Sequence, residues 1–320
     1  MKPFIKKFLI FLVPLLVCLI YIETYLQFYP SIFQLKAKFI NANKDKVSVL
    51  ILGSSHNQES VNPEYFTKEV VTNQAFGGQD LVLDSRMLNK FIPGLPKLKY
   101  VFLELGYHSL EFGDSFDNER NNLYLRYYGI NNFGRLVNPL DYSIFIPHPK
   151  LYMEFLNPFL EKTAVNKYGF ATELSRFERG IQRFPNLNYD SAEINKDRNN
   201  LFITRHQYED VKAYEKNKQI FEGMVATCVK NKITPVILLT PVYKTYFEEM
   251  LPAKNQRRKE LIKYLIDKYP STVLLNYENT GEFKITDFTN DDHLNPEGAK
   301  LFTLKLDSIL NQKAALSANH

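Results

Sequence analysis

Five short apolar runs set the limits on what this chain can fold into. Val47–Leu52 reads VSVLIL and stops at Gly53. Val70 and Val71 precede Asn73, Tyr100–Leu105 reads YVFLEL, Pro235–Leu239 reads PVILL, and Val273–Leu275 closes the set. Runs this short, rich in β-branched residues and bounded by turn formers, suit strands better than helices. Their near-continuous apolarity, without alternation, marks strands covered on both faces, as in parallel sheets. Between them, Gln79–Ile92, Asp210–Lys230 and Arg257–Lys268 carry a helical pattern. Leu81, Leu83, Met87, Leu88 and Phe91 follow it in the first, and Tyr214, Phe221, Val225 and Cys228 share a face of the second. Asn295-Pro296-Glu297 opens a last helix, with Asn295 as N-cap and Pro296 at its first position. That helix is expected to run to about Leu310, to bury Ala299, Phe302, Leu306 and Ile309, and to leave Ala314–His320 frayed. The fold class is therefore α/β, and sheets of this kind carry their sites at the carboxyl ends of the strands.

The N-terminus adds a separate constraint. Lys2, Lys6 and Lys7 precede an uncharged run from Phe8 to Ile22, followed by Tyr21, Tyr25, Phe28 and Tyr29 where an interfacial aromatic belt would sit. No small-x-small cleavage site follows the run, and Val17 before Cys18 does not suit a lipoprotein signal. The reading left is an uncleaved signal anchor over residues 1–30, single-pass, with the α/β body at 31–320 outside the cytoplasm. Lys36, Lys38, Lys44 and Lys46 beyond the run weigh against that orientation. The opposite topology would suit a cytoplasmic-facing lipid esterase. Residues 107–208 interrupt the α/β pattern with 19 Tyr and Phe and no strand alternation. They read as a mostly helical insertion, either packed on the sheet edge or serving as a cap that binds substrate or partner.

Of the net charge of +5, the lysines flanking the apolar run supply a good part. The body is close to neutral for its size, so no nucleic-acid partner is expected. Cys18 and Cys228 lie too far apart in character for a disulfide framework, and the six histidines show no metal-like spacing. No metal and no cofactor are expected.

Chemistry-bearing residues gather at the strand ends. Gly53-Ser54-Ser55-His56 follows the first run, Asn73 to Gly78 the second, and Glu104 to His108 the third; Asn290-Asp291-Asp292-His293-Leu294-Asn295 precedes the last helix. In order and spacing these segments resemble the blocks of the SGNH/GDSL hydrolase superfamily, over roughly 46–110 and 232–310. The resemblance implies a three-layer αβα fold with a flavodoxin-like parallel sheet. It places the nucleophile at Ser55, after Gly53, and the base at His293. Asn73 and Gly78 match the second block, with the Gly78 N–H serving the oxyanion hole. Two positions depart from the pattern: His108 stands where an oxyanion Asn is usual, and Asn290 stands where the triad Asp is usual. Asp291, Asp292 or Asp287 are alternatives for that acid, with Asp292 carried as the candidate, or Ser55 and His293 act as a dyad.

Each residue also has a plainer role. Ser54 and Ser55 suit helix capping, and Asn73, Gly77 and Gly78 suit a turn. His56 is expected to point away from Ser55, and His206 to be a structural hydrogen-bonder. With a membrane anchor, the resemblance narrows to the envelope proteins that work beside membrane-bound O-acyltransferases. It implies a serine esterase or O-acyltransferase acting on a cell-envelope glycan or acyl ester. The alternative is a catalytically silent SGNH-like domain that binds a glycan or a membrane acyltransferase partner.

Overall fold

The computed structural model describes residues 2–113, 120–149, 152–153, 164–174, 182–196 and 202–318. Parts of the expected insertion, and His320, lie outside these residues. By its internal contacts the chain divides into two compact units, Met1–Ala37 with Phe116–Lys162, and Lys38–Ser115 with Thr163–His320. The expected insertion is thus shared: residues 116–162 group with the N-terminal helices, and residues from 163 group with the sheet.

The smaller unit contains α1 (Lys2–Phe28), the first six residues of α2 (Ile32–Ala42) and, later in the chain, α5 (Asn121–Tyr128). Within α1, Lys6–Phe28 has a mean hydropathy of 2.3 and is only 6% buried, long and apolar enough to cross a membrane. The last turns of α1 are tied down. The Glu23 carboxylate accepts the backbone N–H groups of Ile144, Phe145 and Ile146 at 2.7, 2.9 and 3.1 Å, and the Tyr127 hydroxyl donates to the Gln27 carbonyl at 3.2 Å.

The larger unit is built on five parallel strands: β1 (Val49–Leu52), β2 (Val71–Asn73), β3 (Tyr100–Glu104), β4 (Thr234–Leu239) and β5 (Val273–Asn276). Their order is 2-1-3-4-5, the flavodoxin-like doubly wound order, and it fits a three-layer α/β fold. All four side chains of β1 are fully buried, each contributing about 1.5–3 kcal/mol relative to exposure. Val49, Ile51, Phe102, Val236 and Leu238 form one core with Phe302, Leu306 and Leu310 of α11 (Pro296–Ala318). Their alternates Leu50, Leu52, Val101, Leu103 and Ile237 are buried too, so the other face is also covered. Helices α4 (Leu81–Phe91) and α8 (Val211–Lys230) contact β1 and β4 and each other.

The remaining helices are α3 (Ser55–Ser60), α6 (Arg183–Asn186), α7 (Ser191–Lys196), α9 (Lys244–Glu248) and α10 (Pro252–Lys268). Asp80 and Asp210 cap α4 and α8 through their side chains, which is why those helices start one residue after an acid. In α11 the Asn295 side chain accepts the Gly298 N–H at 3.0 Å, the cap read from the sequence. Two details of that helix differ from expectation. Its backbone stays helical to Ala318 instead of fraying from Ala314, and Leu310 is buried where Ile309 is only half-buried. A helix face advances by 100° per residue, so one position decides which side chain reaches the core.

β1 lies between β2 and β3, so the chain leaves it in one direction and returns on the other. The crevice at the carboxyl ends of β1 and β3 is the switch point where such sheets hold ligands. The segments after β1 and β3 are those carrying Ser55 and His108.

Candidate active site

Gly53 turns the chain out of β1 with φ +140°. A Cβ there would meet Glu104 Oε2 at 2.5 Å and Glu104 Cβ at 2.6 Å. The close approach is put to use. Glu104, the last residue of β3 and buried, accepts Ser54 N–H at 2.8 Å, Ser54 Oγ–H at 2.6 Å and Asn57 N–H at 3.0 Å. Its carboxylate thus takes up two donors of the α3 entry that the helix itself leaves unpaired. Ser54 is the N-cap and Ser55 the first helical residue, which separates the two serines into a structural one and one free to face the crevice. Asn73 secures the other end of α3, donating from Nδ2 to the Asn57 and Val61 carbonyls, both at 2.8 Å, and accepting Ala75 N–H at 3.0 Å. Gly78 is exposed with φ +69°.

His293 arrives from a tight turn. Phe288 pairs with Leu294, Thr289 N–H donates to the His293 carbonyl, and Asn290 Oδ1 accepts the N–H groups of Asp292 and His293 at 3.0 and 2.9 Å. Gly298, at the start of α11, abuts the Asp287 carbonyl so closely that any side chain would collide. The turn and the last helix are therefore held as one piece. Thr303 of α11 accepts Asn62 N–H at 3.0 Å, joining that piece to the segment just after α3.

The result is a Ser–His pair. His293 Nε2 lies 2.8 Å from Ser55 Oγ. Behind it, His293 Nδ1 lies 2.6 Å from Asp292 Oδ1 and 3.2 Å from Asn290 Oδ1. The Asp292 carboxylate and the Asn290 amide oxygen thus both face His293 Nδ1. The carboxylate behind His293 is that of the adjacent residue, and Asn290 shapes the turn. Asp291 faces away and accepts Phe202 N–H at 3.0 Å, and Asp287 accepts Lys284 N–H at 2.7 Å.

Three further histidines line this cluster. His56, expected to point away, is buried with Nε2 3.3 Å from Asp292 Oδ2. His108 packs between His56 and His206, with ring centroids 4.7 Å from each, and its Nε2 is 3.6 Å from Glu104 Oε1. His206 Nδ1 meets the Tyr246 hydroxyl at 2.8 Å. The sequence spacing of these residues conceals the cluster, because each comes from a different loop. His56, Glu104 and His108, and likewise His56, Asp292 and His293, bring ligand-type atoms within 4.8 Å of one another and could hold a metal ion. Against the first set, Glu104 already serves three protein donors.

The electrostatics divide the histidines. Burial, with His56 and His206 nearby, pushes His108 well below the ordinary range, and burial pushes His206 down to about 4, so both are neutral at physiological pH. His293 goes the other way. Burial pulls it down, but the Asp292 charge and the acids around it outweigh this and raise it to about 10. Burial resists ionisation of Asp292, and the adjacent His293 overcomes it, holding the carboxyl well below its usual range. Asp291 rises to about 6 through burial and the Asp292 charge.

No family model matches this chain, and no curated protein matches it. A solved structure from Streptococcus pneumonia, described provisionally as a platelet activating factor, is 11% identical to it. The likeness covers 94% of this chain and 98% of that one, at a TM-score of 0.40. At that score it carries no weight for activity.

Proposed function

We propose that this chain is a membrane-anchored serine esterase or O-acyltransferase of SGNH type, with Ser55 as nucleophile and His293 as base. The observation that carries the reading is the 2.8 Å approach of His293 Nε2 to Ser55 Oγ with Asp292 at 2.6 Å behind it. A serine hydroxyl attacks an acyl carbon only when a base takes its proton. In the proposed cycle neutral His293 accepts the Ser55 proton as Oγ bonds to the acyl carbon. The Gly78 and Ser55 N–H groups stabilise the oxyanion, a contribution of about 3 kcal/mol per donor. His293 then returns the proton to the leaving alkoxide, giving an acyl-enzyme and a free alcohol. Water or an acceptor hydroxyl completes the cycle by the same route in reverse. Asp292 stabilises the imidazolium formed in each half, and Asn290 fixes the ring through Nδ1.

His108 is proposed as a further oxyanion donor through a ring N–H. The substrate class that suits a near-neutral, aromatic-rich body is an acyl ester on a cell-envelope glycan, with a membrane-bound O-acyltransferase as partner and the body outside the cytoplasm. A fluorophosphonate probe tests the reading: it should label wild-type protein in detergent at Ser55 and leave Ser55→Ala unlabelled. Equal labelling of the two removes Ser55 from the mechanism.

The raised His293 favours a second reading near neutral pH, that of a silent module that binds a glycan or an acyltransferase, because a protonated imidazole cannot accept the Ser55 proton. Failure to label at any pH, with glycan binding retained, would decide for that reading.

A further inference from the structure

The segment that grips the end of α1 carries exposed apolar side chains. Leu136 is 92% exposed and Leu140 60%, and Tyr142 and Ile146 are also exposed, all within eleven residues. The one charge among residues 136–146, Asp141, is taken by Arg135 through two 2.7 Å bonds. A patch of this kind, free of uncompensated charge, marks an interaction surface.

The position of Glu23 identifies what covers it. Lys7 and Glu23 are sixteen positions apart, a rise of about 24 Å along a helix. The hydrocarbon core is about 30 Å thick. With Lys7 at the near edge, Glu23 falls short of the far edge, where a carboxyl group lacks water to bond. The structure supplies that need from the chain itself, through the N–H groups of Ile144, Phe145 and Ile146. Those three amides must then lie at the depth of Glu23, which brings the segment carrying Leu140 and Tyr142 to the same level. Tyr21 and Phe28 on α1, 70% and 69% exposed, mark that level as an interface.

We propose that residues 136–146 insert into the bilayer interface beside α1, giving this chain a second lipid contact in addition to its helix. The occupant is a lipid surface at the headgroup–acyl boundary, met by Leu136, Leu140, Tyr142 and Ile146. The inference rests on α1 spanning a membrane.

The chain contains no tryptophan, so single-Trp variants report without background. Full-length Leu140→Trp, Leu136→Trp and, on α1, Val13→Trp are each reconstituted into phosphatidylcholine–phosphatidylglycerol vesicles with and without brominated acyl chains. The expectation is that all three emit blue-shifted and lose about half of their emission to bromolipid, as for side chains seated at the acyl boundary. Adding Glu23→Ala to Leu140→Trp should abolish that quenching while Val13→Trp in the same background keeps it. Quenching of Val13→Trp alone, with Leu136→Trp and Leu140→Trp unquenched, overturns the proposal and leaves the anchor standing. No quenching at any position overturns the anchor, and the proposal with it. Full quenching of Leu140→Trp in the Glu23→Ala background removes Glu23 as the group that sets the depth.

Discussion

Replacing Asp292 with Asn tests the charge logic of the site directly. The substitution keeps shape and removes the charge that sits 2.6 Å from His293 Nδ1. Raising His293 from 6.5 to about 10 corresponds to roughly 5 kcal/mol of preference for the imidazolium. At pH 7 only about one His293 in a thousand is then neutral and able to act as base, rising to about half near pH 10. In Asp292→Asn, burial acts on His293 without its largest opposing charge, while Glu59 and Asp291 still act on it, so the ring titrates below its wild-type value and is neutral over more of this range. The variant also loses stabilisation of the imidazolium formed during attack, a loss of up to about 10,000-fold in the Ser-His-Asp triad of serine proteases. The two effects oppose each other at pH 7 and separate at high pH. The ratio of wild-type to variant rate should therefore widen between pH 7 and pH 10, by up to roughly 500-fold where the variant ring is neutral throughout. The assay is the rate at which a fluorophosphonate labels Ser55 in detergent-solubilised protein across that range. A ratio that stays flat with pH refutes the reasoning, because it means Asp292 does not govern the protonation of His293.

Three other outcomes follow from the same geometry. Gly53→Ala should lower the melting temperature by the equivalent of about 3 kcal/mol or more, since a Cβ collides with Glu104 and the backbone is left-handed there; an unchanged thermal melt would contradict the close approach. Because the folded-state value of His293 is raised, its contribution to stability is complete below about pH 6.5 and is lost as pH rises through about 10. Thermal melts should accordingly show wild type losing stability over that window and His293→Gln losing less, and parallel curves would count against the ion pair. His56→Gln should leave Asp292 with one neighbour fewer, move the labelling inflection to higher pH and slow labelling by about tenfold; an identical profile means the 3.3 Å contact has no role.

The strands were legible because a sheet covered on both faces writes itself as plain apolar runs, and β1, β3 and β4 need no tertiary information to be found. Ser55 and His293 were legible because each occupies a strand-end or helix-start position that the sheet topology brings together. The identity of the acid was not. Asp291 and Asp292 are adjacent, and which of them faces His293 depends on the Asn290 turn, a property of backbone torsions that residue type does not encode. The packing of His56, His108 and His206 against one another was hidden for a similar reason: the directions of His56 and His206 are set by the entry of α3 and by the short turn at Phe202–Arg205. Glu104 did leave a trace, a lone charge at the end of an otherwise apolar strand, which a buried hub of hydrogen bonds explains. The grouping of residues 116–162 with the N-terminal helices has no clear boundary in composition, since Tyr and Phe are plentiful on both sides of the division.

Glu104 has a consequence for the order in which this protein becomes competent. The turn that presents Ser55 draws its hydrogen bonds from a residue 50 positions downstream of Ser54, and the histidine that meets Ser55 comes 238 positions after it. During synthesis, therefore, the emerging α3 entry has no partner for its amides until β3 has docked beside β1. The Ser–His contact waits longer still, for the final helix to release from the ribosome and lock its turn against Asp287. Long-range closures of this kind are slow steps in folding. An N-terminal fragment, however well anchored in a membrane, lacks His293 and leaves the turn around Ser55 unshaped, so a chain interrupted before its end cannot form the Ser–His contact.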